Sequence, residues 1–173
     1  MDFVNSIKQA IEIVKLNGKA AKNVSKDKNA TLIGILIIAI GSVLSNVLML
    51  GIVYIISTLI IGVIGYFIIV GIMHMIARFL FGGQAKYLEY FRAQSHASIL
   101  SWLGILVVIP TAGYIINFFI SIWSLIVSVV ILESVHKLTR GKAIVVVLLI
   151  TTLFIFIGTV SYFGAANPDA LMP

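Results

Sequence analysis

Four ionisable side chains lie in or beside long apolar runs: His74, Arg78, Glu133 and His136. An ionisable group at membrane depth is costly, and where it persists it commonly serves a proton, an ion or a ligand. All four fall near the ends of their runs, where side chains can reach the polar boundary. A boundary role is the first expectation, and a ligand or proton role the second. His74 and Arg78 are one helical turn apart, and an Arg78–Glu133 ion pair would join two runs. The three histidines, His74, His96 and His136, match no ligand motif, so no metal site is expected. No nucleophile–base pair, phosphate loop or paired carboxylates stands out, so neither an enzyme nor a cofactor is expected.

Asn117, Ser121, Ser124 and Ser128 recur at i, i+4, i+7 and i+11. On a helix they stay within about 60° of arc, one narrow polar stripe. Its first reading is a packing seam, because small and weakly polar residues let helices approach and hydrogen-bond. Its alternative is the lining of a polar pathway. Gly34, Gly41 and Ser45 form a similar face, as do Thr58, Gly62 and Gly65.

Membrane helices are the elements that must carry these residues. Only 10% of the 173 residues are charged and 61% are apolar, too few polar side chains to cover a soluble domain. The runs predict an all-α polytopic transmembrane bundle with five spans, at about 31–48, 53–78, 96–110, 113–135 and 143–163. The first two spans require a turn near Asn46–Gly51. Pro110 and Gly113 mark the turn after the short 96–110 run. No cleavable signal peptide is recognised, so the first span is expected to act as a signal anchor. There is no cysteine.

Residues 1–30 read as an amphipathic helix followed by a basic connector, 31–163 as the membrane domain and 164–173 as a short non-cytoplasmic tail. Phe3, Ile7, Ile11 and Val14 form an apolar stripe that suits a helix lying in the membrane interface, with Gly18 as its stop. Packing on the protein's own loops is the alternative. Gly82-Gly83 breaks the helix before it, and Lys86 to Arg92, which mixes aromatic and basic side chains, reads as a short interfacial helix.

All twelve basic residues fall before residue 31, at 78–92 or at 137–142. Such bias sets topology, so the N-terminus is expected in the cytoplasm and the C-terminus outside, in the cell membrane. The net charge of +6 then reads as attraction to anionic lipid headgroups rather than to nucleic acid. Lys8, Lys15, Lys19, Lys22, Lys86, Arg92, Lys137, Arg140 and Lys142 would face lipid, a protein partner or a second copy of the chain.

Three stretches carry a family resemblance: ARFLFGGQAKYLEYFRAQSHASIL, SWLGILVVIPTAG and IWSLIVSVVILESVHKLTRGKAIVVVLL. In order and texture, over residues 77–149, they resemble the Yip domain family of Rab-GTPase-interacting membrane proteins. The resemblance implies five spans and a cytoplasmic N-terminus. Its eukaryotic members act in vesicle traffic and membrane shaping. The Asp-Leu-Tyr-Gly-Pro element of those members is absent here and the N-terminal region is short, so the chain is more similar to the short prokaryotic members. The functional expectation is a non-enzymatic membrane scaffold, adaptor or membrane-shaping protein. The alternative is a small transporter or channel along Asn117, Ser121, Ser124 and Ser128.

Overall fold

The computed structural model describes residues 2–46 and 52–166. Among them every regular element is helical: α1 (Phe3–Val14), α2 (Gly18–Lys26), α3 (Ala30–Leu44), α4 (Ile52–Met75), α5 (Tyr87–Ala97), α6 (Ala112–Val135) and α7 (Arg140–Ala166). A π-helical turn, Ile76–Leu80, extends α4, and a 3-10 helix, Ser98–Val108, follows α5. The expected turn at Asn46–Gly51 and tail at 164–173 fall largely outside the described residues.

Among the described residues, three segments are long and apolar enough to cross a membrane: Val53–Leu80, Ala112–Val135 and Arg140–Phe163. A fourth is reached if α2 and α3, bent by 116°, count as one span. The expected 31–48 and 96–110 crossings are therefore the short elements. The 15 residues of α3 and the 11 of the 3-10 helix would each extend about 22 Å, against a hydrocarbon core of about 30 Å. Side chains such as Ile61, Phe118 and Ile155 stand exposed along the long helices, as a lipid-facing surface requires.

The N-terminal stretch differs from the sequence expectation. Its helix stops at Val14, and Leu16 takes the left-handed conformation, with φ of 66°. Gly18 opens a second helix, because the Asn17 side chain accepts hydrogen bonds from the amides of Lys19 and Ala20. The expected connector is thus mostly α2. One face of α1, Ser6, Ala10 and Ile13, is buried against the body, while Phe3, Val4 and Ile11 remain exposed. The helix therefore packs on its own protein and still presents apolar side chains outward. Halfway along α6, the indole of Trp123 donates to the Val14 carbonyl at 2.9 Å and ties down the end of α1.

The largest departure is α5. It packs against α1, α2, α3, α4 and α6, and Tyr90 to Ala97 are all buried. A mixed polar and aromatic sequence suits an interface, but it also suits a helix enclosed on all sides by partners that satisfy its polar groups. Small residues permit the enclosure. Gly34 and Gly41 of α3 face Ser95 and Ser101, with no room for a Cβ.

Candidate functional site

Arg92, expected on the surface, is only 9% exposed. Its Nε donates to Thr31 Oγ1 at 2.7 Å, and its guanidinium donates to the Ser25 carbonyl at 3.0 Å. Ser25 lies in the last turn of α2 and Thr31 in the first turn of α3. A cation at a helix C-terminus meets orphan carbonyls and the negative end of the helix dipole. Arg92 is thus a clasp across the 116° bend, and its turn inward corrects the surface expectation.

The other basic residues singled out by sequence, Lys8, Lys15, Lys19, Lys22, Lys86, Lys137, Arg140 and Lys142, are exposed. Lys15 pairs with Glu12 at 3.1 Å, and Lys142 donates to the Phe81 carbonyl at 3.3 Å. Lys22 and Lys26 of α2 meet Lys137, from the α6–α7 loop, around a cavity of about 200 Å³. Ser25, Gln84 and Ser134 supply polar wall and Glu89 a carboxylate. Lys137 is held there with φ of 57°, a left-handed conformation uncommon for a non-glycine residue.

Of the four ionisable residues near span ends, two come together. His74 Nδ1 and His136 Nε2 are 3.2 Å apart and buried, with the rings of Tyr87 and Tyr90 beside them. Glu133 pairs with Arg140 at 3.2 Å, so the anticipated Arg78–Glu133 pair gives way to one between the end of α6 and the start of α7. Arg78 is exposed on the π-helical turn, close enough to disfavour charge on His136. His96 lies apart and shares a hydrogen bond with the Arg92 carbonyl at 2.8 Å. Among the described residues no group of three or more His, Cys, Asp or Glu is placed to hold a metal.

His136 stands just past the end of α6, and its pKa is pushed down from 6.5 to about 4. Burial is the main cause, followed by His74 and Arg78. The folded chain therefore keeps this ring neutral while the unfolded chain protonates it first. The associated stability is present above pH 6.5 and lost as pH falls toward 4. Melting temperature is expected to drop by several degrees across that window and less in His136→Gln; equal slopes would rule out this titration.

Three residues of the Asn117–Ser128 stripe border an open space. Asn117, Ser121 and Ser124 line a cavity of about 340 Å³ with Tyr66, Gln94 and Ser98. Ser128 receives the Gln94 side-chain amide at 2.8 Å. A neighbouring cavity of about 480 Å³ lies between α3 and α4 and shares Ser45, Tyr66, Ser98 and Ser101 as lining. Sequence identified the stripe but missed Gln94 and Tyr66, because nothing in their local spacing points to α6. The helical faces Gly41–Ser45 and Thr58–Gly62 were the available signal for the second cavity.

Comparison with known proteins gives one match: the family model described as the Yip1 domain covers residues 29–161. No curated protein and no solved structure matches the chain.

Proposed function

This chain belongs to the Yip1 domain family, and from that premise we propose that it is a non-enzymatic membrane scaffold whose basic end docks anionic surfaces. The observation that carries the reading is the meeting of Lys22, Lys26 and Lys137 around one cavity. Three lysines from two distant segments suit a phosphate-bearing headgroup, which surface lysines attract by about 1 kcal/mol each.

The proposed topology places the N-terminus and this end in the cytoplasm, the tail outside, and crossings at about 31–48, 53–78, 96–110, 113–135 and 143–163. The one-sided distribution of Lys and Arg supports it. The two short crossings are accommodated by local thinning of the bilayer. The exposed Phe3, Val4 and Ile11 support a lipid-contacting α1, whose end stands level with the middle of α6.

Full-length protein in phosphatidylcholine nanodiscs is expected to capture vesicles containing phosphatidylglycerol and to release them as salt rises, because exposed charges are screened within about 10 Å at 0.1 M. At about 1 kcal/mol per lysine, a Lys22→Gln/Lys26→Gln/Lys137→Gln variant weakens capture by about a hundredfold. Capture that ignores both salt and these substitutions would refute the scaffold reading.

A further inference from the structure

The polar cavity inside the bundle is independent of the basic end. It combines a size suited to a small ligand with a wall that carries no formal charge. Its volume of about 340 Å³ lies at the lower end of ligand sites, which run from about 300 to 1,000 Å³.

The chemistry of the wall can be read from its hydrogen bonds. Ser121 donates to the Asn117 carbonyl and Ser124 to the Ile120 carbonyl, each at 2.9 Å. Ser45 donates to the Ser101 carbonyl at 3.0 Å, and Tyr66 to the Gln94 carbonyl at 2.6 Å. A carbonyl can only accept, so each of these hydroxyls has spent its proton on the backbone. What each retains is oxygen lone pairs.

Gln94 supplies the second observation. It is nine-tenths buried in the cavity wall. Its side-chain amide nitrogen donates to Ser128 Oγ, while its Oε1 is buried with no hydrogen-bond partner among the described residues. An unpaired buried acceptor costs about 1–3 kcal/mol, which a ligand donor would recover once the Gln94 amide turns its oxygen toward the cavity. The wall is therefore rich in acceptors, and the amides of Gln94 and Asn117 add the few donors.

We propose that this cavity binds an uncharged polyhydroxyl group, either a free polyol or sugar or the headgroup of a neutral glycolipid. Several O–H donors on one small frame match several acceptors on one wall. A cation would also meet oxygen atoms, but no carboxylate lines the cavity to offset its desolvation. An anion would face lone pairs.

The test uses full-length protein in phosphatidylcholine nanodiscs, since sugar-headed detergents would compete. One arm titrates sorbitol and glucose by calorimetry. The other follows retention of glucosyl-diacylglycerol by native mass spectrometry. Saturable binding in the first arm identifies a free solute, and binding in the second alone identifies a headgroup. In either case Gln94→Leu and Ser121→Val are each expected to weaken binding about tenfold or more. Ser121 is exposed at the cavity rim, so Ser121→Val keeps the wild-type melting temperature and remains informative if Gln94→Leu fails to fold. The proposal is overturned if no probe binds, if Ser121→Val leaves binding unchanged, or if sodium or ammonium binds in place of the polyols.

Discussion

Replacing Arg92 with methionine is expected to destabilise the folded chain by about 3 kcal/mol, since hydrogen bonds to a charged group contribute about 1.5–3 kcal/mol each. The guanidinium serves Thr31 and Ser25 at once. Methionine fills much of the space but leaves the end of α2 unsatisfied beside the bend into α3. Lysine keeps the charge and loses the planar fork, so Arg92→Lys should fall between wild type and Arg92→Met. Thermal melting in nanodiscs checks the order. Equal stability of all three would remove the clasp from the account of the bend.

The second large effect is expected at Gly113, the tight entry into α6. A Cβ there would collide with the Leu106 carbonyl and approach Val107 Cα at 2.8 Å. Both obstacles are backbone and cannot rotate away. The turn is already constrained, with Thr111 at φ of 60° and the Gly113 amide donating to the Ile109 carbonyl at 2.9 Å. Gly113→Ala should cost about 2–3 kcal/mol, at the upper end for an overpacked site. Gly65 is the control, because a Cβ there meets nothing within 4 Å. Gly65→Ala should be neutral or stabilising by up to about 1 kcal/mol, the helix-propensity gain. Similar melting shifts for the two variants would show that the hairpin relaxes around the added methyl. Because Asn117 stands one turn beyond Gly113, the first variant should also weaken polyol binding.

The legible parts of the fold were those set by long uniform runs. The apolar lengths of α4, α6 and α7 need no tertiary context, and they reappear as the three segments long enough to cross. The shorter runs leave crossing undecided by length, since α3 and the 3-10 helix fall near 22 Å. What sequence could not show was which polar residues turn inward. Arg92 and Lys86 look alike in the aromatic-basic stretch, yet one is buried and the other exposed, because only position 92 faces the α2–α3 bend. His74 and His136 stand 62 residues apart, so their contact depends on where the fold brings the end of α4 and the loop after α6. The Asn117–Ser128 stripe was visible as a stripe. That it borders a cavity depends on Gln94 and Tyr66, which arrive from α5 and α4.

The enclosure of α5 also bears on how the chain is made. A helix carrying Arg92, Gln94 and His96 has little tendency to partition into lipid alone. Its partners leave the ribosome at different times. Ser25 and Thr31 precede Arg92, so the guanidinium can find its hydrogen-bond acceptors as soon as α5 emerges. Ser128 follows Gln94 by 34 residues, so the amide must wait for α6. The two contacts therefore form in a fixed order, and a nascent chain halted before α6 should hold a settled arginine beside an open glutamine.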